Sequence, residues 1–407
     1  MEKIVIPDAY DGREQAWIKH QLLQSYFEKL ILIIGMSPQR DRSVEICYVD
    51  CFAGPWGDES ESLESTSIAI SLRTMAMCRQ KLAKLNVQAK IRALYIEKDP
   101  TAFGRLSQYL DVATPAGVDA KCKQGDFLDL RDQILDWCGP SAFVFFFIDP
   151  KGWKTVGIEK LKPLLKRPRS EFLINFIYDF INRTASMPAW QFEISEFLGV
   201  SMDVVKRLDG LRPNERERLL LDSYRAGLKR NRPFSNQKFR PRTAYVRVLD
   251  PNRDRPKYHL VYLTNHPKGV IEFMEISQGV DLVQQQVRAN KRYEIRELQT
   301  GMLDMFSGEP DTNTQTVQVS AQDVDSYWFR YLENGSRSIG EDEFADILEQ
   351  TDWMPVDLQS SLVRLIRAGQ LRNLDAVNSR PKRPLHIENT ERLELIPKMP
   401  ISRVDSA

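Results

Sequence analysis

YVDCFAGPWG, running from Tyr48 to Gly57, is the stretch whose reading decides the fold. The apolar run Ile46–Val49 ends in an acid, Asp50, and Phe52, Ala53, Gly54 and Gly57 follow in the turn. This is the pattern of a buried strand entering a tight turn. Glycine carries no Cβ and tolerates positive φ, so a ligand can lie against such a backbone. Glycine-containing strand-to-helix turns are common, and the segment draws its meaning from what lies downstream.

Three further strand ends finish in acids. Ile91–Ile96 ends in Glu97, and after Lys98 comes Asp99-Pro100, a helix cap with proline at the first helical position, where its missing N–H costs nothing. A polar segment, Ala120–Gln124, leads into Gly125-Asp126-Phe127. The most apolar strand, Ala142–Ile148, stops at Asp149-Pro150, and a fifth, Phe172–Ile177, follows the basic turn Lys166–Arg169. Helices are expected between them over Ser65–Leu82, Thr101–Leu110, Leu128–Trp137 and Ile158–Leu165. Apolar strands alternating with helices predict an α/β, Rossmann-like parallel sheet covered on both faces. Ligands of such sheets bind outside the carboxyl ends of the strands. Asp50, Glu97, Asp126 and Asp149 all fall there.

An acid after the second strand suits the two ribose hydroxyls of an adenosine. In the dinucleotide fingerprint that acid lies about 20 residues past the glycines. Glu97 is roughly twice that distance from Gly57, and the third glycine is missing. An adenosine ligand without pyrophosphate fits better, and S-adenosylmethionine is the expected cofactor. Asp126 would then accept from the adenine amine, with Asp50 or Asp149 near the charged methionine end.

The order KH-x-LL-x-x-YF (Lys19 to Phe27), YVDCFAGPWG, YIEKDP, QGDF, FFFIDPKGW and FLINF resembles the three-Cys-motif partner proteins, TcmP. The resemblance covers the first half of the chain, with weaker similarity around Tyr258-His259-Leu260 and beyond. It implies a branch of the class I S-adenosylmethionine-dependent methyltransferase fold and, from the family's name, a protein partner with three cysteines. The cofactor-binding set is then Asp50, Phe52, Ala53, Gly54, Gly57, Glu97, Lys98, Asp126 and Phe127.

Asp149-Pro150-Lys151-Gly152-Trp153 stands where amino-methyltransferases of nucleic acids carry an acid or amide, two prolines and an aromatic. A carboxylate and a backbone carbonyl there accept from an exocyclic amine, and an aromatic ring stacks on the flipped base. Asp149, Pro150 and Trp153 are therefore the candidate catalytic residues, with Lys151 replacing the second proline. The plainer reading makes Asp149 a helix cap or cofactor neighbour and Trp153 a packing residue. Ahead of the sheet, apolar residues at 17, 22, 23, 26, 27, 30, 31 and 34 fit one helical face, with Lys19 and His20 before the stripe.

With 407 residues, 42% of them hydrophobic, the chain is expected to hold two or three domains. No apolar run reaches the about 18 residues of a membrane span. The start, MEKIVIPDAY, carries no secretory pattern. Five cysteines without paired metal spacing read as reduced thiols of a cytoplasmic protein, and four scattered histidines offer no metal cluster. Net charge is +1, yet Arg207–Arg242 concentrates cations with Phe234 and Phe239 among them. Such a stretch can contact phosphates and bases or simply form a solvated helix and loop. Thr243–Leu249 and Tyr258–Thr264 alternate as an antiparallel hairpin closing the sheet, followed by a helix over Val270–Arg296.

The expected organisation is an N-terminal helical segment (1–35), a methyltransferase-like domain (36–300, with a basic helical insertion at about 185–242), a linker (301–322) and a winged helix (323–407). In the last, helices over Val324–Leu332, Gly340–Gln350 and Pro355–Ala368 precede strands at Gly369–Leu371 and Leu385–Ile387. Gln359, Ser360, Arg364 and Arg367 would enter a major groove, aided by Arg380, Lys382 and Arg383. The function expected is methyl transfer from S-adenosylmethionine to a nucleic-acid base amine. The alternative is a non-catalytic nucleic-acid-binding scaffold on the same fold. A phosphate-binding Gly-Lys-Ser/Thr, which another nucleotide enzyme would need, does not occur.

Overall fold

The computed structural model describes residues 6–37, 43–54, 65–234, 236–250, 253, 255–300, 319–378 and 380–397. Gly57 and residues 301–318 of the expected linker lie outside them. The chain divides into two units, Met1–Pro310 and Asp311–Ala407.

In the first unit, helix α1 (Glu14–Met36) precedes an alternating series: β1 (Ser43–Asp50), α2 (Ser67–Lys84), β2 (Gln88–Glu97), α3 (Pro100–Ala113), β3 (Val118–Gln124), α4 (Phe127–Cys138), β4 (Phe143–Ile148), α5 (Ile158–Leu165) and β5 (Ser170–Phe176). Four helices follow: α6 (Tyr178–Thr184), α7 (Pro188–Leu198), α8 (Met202–Lys206) and α9 (Pro213–Arg230). The hairpin β6 (Arg242–Leu249) and β7 (Pro256–Thr264) and the long helix α10 (Pro267–Thr300) complete it. The strands form one sheet in the order 3-2-1-4-5-7-6. β7 is antiparallel to both its neighbours and every other pairing is parallel. That order, with β7 alone reversed, is the sheet of class I methyltransferases.

Side-chain alternation assigns the two faces. Cys47, Val49, Val144, Phe146, Phe172 and Ile174 pack under α4, α5, α7 and α9. Tyr48 and Phe145 face α1, where Phe27 lies on both rings and Tyr26 on Phe145. The expected N-terminal segment is thus part of this unit rather than a separate body. On that face Tyr26 donates to Glu171 (2.8 Å), and Thr264 donates to the other carboxylate oxygen (2.7 Å). β2 starts earlier than its apolar run because Glu45, opposite Lys90, pairs with Lys90 and Arg92 (3.0 and 2.9 Å). Opposite charges across a ladder extend strands that hydropathy alone would cut short.

Part of the basic stretch 207–242 is structural: Arg225, Arg232 and Arg242 are buried, whereas Arg207, Arg212, Arg218, Arg230 and Lys238 are exposed. Arg232, 5% exposed, donates to the carbonyls of Leu165, Arg167 and Ser170. Arg225 donates to Thr243, Arg216 to the carbonyls of Leu208 and Leu211, and Arg230 to that of Gly199. The buried guanidinium groups of Arg225 and Arg232 are committed to the protein's own oxygens and are not offered to phosphates. Arg232→Ala is therefore expected to cost about 2 kcal/mol by urea denaturation, while Arg218→Ala, on an exposed pair with Asp222, shifts stability by under about 0.5 kcal/mol. Equal effects would contradict this assignment.

The second unit runs α11 (Ala321–Tyr331), β8 (Arg337–Ile339), α12 (Glu341–Thr351), α13 (Pro355–Arg367), β9 (Leu371–Asn373) and β10 (Glu391–Leu395), with an antiparallel sheet ordered β8-β10-β9. Leu385–Ile387 is not a strand. Leu385 and Ile387 are buried around His386, which imitates strand alternation. The Leu385 N–H instead donates to Gln359 and that of His386 to Glu391 (3.2 and 2.8 Å). The strand lies beyond, and its buried Glu391 disguises it.

Candidate active site at the carboxyl edge of the sheet

Strand order reverses between β1 and β4, so the crevice for a ligand opens at their carboxyl ends. The turn after β1 is pinned across it: the Cys51 N–H donates to the Phe147 carbonyl (3.0 Å) and that of Ala53 to the Ile96 carbonyl (2.8 Å). Gly54 follows directly. Phe52 rests on Phe127, the first residue of α4, at 5.1 Å between ring centroids.

Asp50 is wholly buried at the tip of β1. It accepts from the Phe52 N–H (3.2 Å) and from the Ser67 hydroxyl (2.9 Å). Burial pushes its carboxyl up to about 7, although those two hydrogen bonds oppose the shift. Glu97 ends β2. Its Oε1 accepts from the Asp99 N–H (2.6 Å), and no hydrogen bond among the described residues engages Oε2. Asp99 in turn caps α3 through the Ala102 N–H (2.8 Å), as the Asp-Pro spacing predicts.

Asp126 follows Gly125, whose φ of +145° forms the turn after β3. It caps α4 through the Leu128 N–H (2.9 Å) and takes Lys98 on its other oxygen (2.8 Å). Lys98, then the Leu128 N–H, hold this carboxyl below its ordinary value. An adenine amine would share a carboxylate already in use.

Asp149, just past β4, has both oxygens engaged. Oδ1 accepts from the Asn175 amide (2.7 Å), and Oδ2 carries the Lys19 ammonium in an ion pair. Lys19 reaches it because it lies seven residues, two helical turns, before Tyr26 on the face of α1 that meets the sheet. His20 beside it is structural. Tyr10 donates to the Ser65 carbonyl and bonds His20 Nδ1 (both 3.0 Å), and burial pulls the ring down to about 3.

Trp153, expected to stack on a base, is a core residue. A 3-10 turn, Trp153–Val156, buries both its ends. The indole stacks on Phe180 at 5.9 Å and meets Phe197 and Trp190 edge-on. With 5% exposure its faces are taken. Pro150 is buried too. Lys19, Ser67 and Asn175 are the site residues that motif reading left out of its site. Asn175 carried a signal, as the one polar residue inside the apolar run FLINF.

Among the described residues no cluster of three metal-ligating side chains forms, and no helix is long and apolar enough to cross a membrane. No family model matches the chain, and no curated protein matches it. Solved structures similar to it include an O-methyltransferase from Bacillus cereus in complex with SAH (12% identity, 65% of this chain and 84% of that one, TM-score 0.34). Others are a protein from Legionella pneumophila (9%, 66% and 92%, TM-score 0.36) and a loganic acid methyltransferase with SAH (9%, 68% and 88%, TM-score 0.31). Identities this low and superpositions this partial carry no information about substrate.

Proposed function

We propose that this chain is an S-adenosylmethionine-dependent methyltransferase whose acceptor is the exocyclic amine of a nucleic-acid base. Glu97 is the observation that carries the reading. Glu97 is buried, one of its oxygens accepts from the Asp99 N–H, and no hydrogen bond among the described residues engages the other, beside a turn pinned by Ala53. An oriented carboxylate at the second strand end, with one oxygen not engaged by the described residues, is suited to the ribose hydroxyls of an adenosine. Gly54 gives the backbone close approach, Phe52 and Phe127 supply apolar walls, and Lys98-paired Asp126 borders the adenine side. When bound, the cofactor supplies an electrophilic methyl group. Asp149 and the Pro150 carbonyl orient the acceptor, while Trp153 shapes the site from beneath as packing.

In this reading the polymer meets the first unit, whose exposed cations include Arg207, Arg212, Arg218, Arg230 and Lys238. The second unit, read as a winged helix from its helix–strand–helix–helix–strand–strand order, carries sixteen acids against eleven bases over 311–407. Its Arg364, Arg372, Arg380, Arg383 and Arg392 each face a carboxylate. Protein docking suits that surface better than phosphate, and the three-cysteine partner implied by the family resemblance is one occupant.

The engagement of both Asp149 oxygens favours a second reading, a non-catalytic nucleic-acid-binding scaffold. Incubation with methyl-labelled S-adenosylmethionine and mixed DNA and RNA separates the two. The enzyme reading expects label in one polymer and a loss of about 10²-fold or more in Asp149→Ala. The scaffold reading expects no label from the wild type.

A further inference from the structure

Asp149 presents one exchangeable oxygen. Asn175 holds Oδ1, so the carboxylate keeps its orientation whatever happens at Oδ2, and Oδ2 is where Lys19 sits. Both partners reach solvent, with 15% and 18% of their side chains exposed. Lys19 is itself held by a fixed element, since Leu22, Leu23, Tyr26 and Phe27 bury the next two turns of α1. The edge of the sheet therefore displays a hydrogen-bond acceptor immediately beside a cationic donor, both on rigid supports.

The complement of that pair is a group with an N–H donor beside a bare acceptor. A protonated alkyl amine offers donors only, and a carboxylate offers acceptors only. The amidine-type edge of a base offers both: the exocyclic amine with ring N1 in adenine, or with ring N3 in cytosine. On its Watson–Crick edge guanine places a ring N–H next to its amine and mismatches the ammonium. Resting on the methyltransferase reading above, we infer that Lys19 is a specificity-determining residue. Its ammonium occupies Asp149 until a base edge replaces the direct ion pair. Asp149 then takes the exocyclic N–H and Lys19 donates to the adjacent ring nitrogen, which selects adenine or cytosine over the Watson–Crick edge of guanine and over alkylammonium groups. Desolvated recognition of this kind penalises an analogue that lacks the partner atom, because the charged donor is left unpaired.

The test is binding of short single-stranded oligonucleotides, in saturating S-adenosylhomocysteine, to the wild type and to Lys19→Met. Each adenine or cytosine probe is paired with its 1-deazaadenine or 3-deazacytosine counterpart. A preference of about tenfold or more for the natural base in the wild type, absent from a Lys19→Met protein with an unchanged melting temperature, supports the assignment. A general packing defect would weaken both probes equally. Wild-type binding indifferent to the ring nitrogen overturns the role of Lys19 and leaves the methyltransferase reading standing. Binding of S-adenosylhomocysteine with no discrimination among bases also overturns it. Failure of the cofactor analogue to bind, measured separately by calorimetry, removes the underlying reading instead.

Discussion

Asp50→Asn is expected to stabilise the folded chain at pH 8, by on the order of 4 kcal/mol, and to change it by almost nothing at pH 4. The carboxyl is wholly buried at the tip of β1, and burial pushes it up to about 7 against an ordinary Asp value of about 3.9. The folded state thus holds its proton over a range in which the unfolded chain has lost it. Stability contributed by Asp50 is full below about pH 4, falls as pH rises toward 7, and stays low above. Asparagine keeps an oxygen for the Phe52 N–H and a polar group for Ser67 without the charge. Other buried acids, Glu171 among them, add their own slopes, so the informative quantity is the difference between variant and wild type, followed by urea denaturation from pH 4 to 8. A difference that does not grow with pH would show that Asp50 is not held protonated.

Glu97→Ala is expected to weaken S-adenosylhomocysteine binding by 10² to 10³-fold, roughly two hydrogen bonds to a charged group, while leaving the fold intact. The substitution removes one interaction of the folded protein, the Asp99 N–H contact. That N–H lies at a helix start where water can replace the carboxylate, so stability falls by only about 1 kcal/mol. Lys98→Ala, which frees one oxygen of Asp126, makes the contrast: it changes affinity by a few-fold at most, because an exposed pair contributes little. Calorimetry with both variants checks the ordering. Equal losses would show that the acid of β2 has no privileged contact with the ligand.

Much of the first unit was legible. Apolar strands ending in acids, Asp99-Pro100 at a helix start and the alternating hairpin 243–264 each encode local structure by short-range rules, and each formed. Long-range polar contacts were not legible. Nothing in the local pattern says that Lys19 meets Asp149, 130 residues away, or that Arg232 serves the carbonyls of 165–170. Trp153 misled because a motif position gives residue type and spacing but not direction, and the turn at 153–156 aims the indole inward. In the second unit buried Glu391 broke the apolar alternation of a real strand, while Leu385 and Ile387 supplied it where no strand exists. Hydropathy misreads a position whenever a buried charge is fully satisfied, here by Arg380 and Asn373.

Equilibrium dialysis of the folded wild-type chain against labelled S-adenosylmethionine and S-adenosylhomocysteine tests the central claim most directly. Saturable binding of both at one site per chain, with micromolar affinity, is the expected result. A folded chain that retains neither ligand at millimolar concentration would contradict the reading of Asp50, Glu97 and the Ala53-Gly54 turn as a cofactor site.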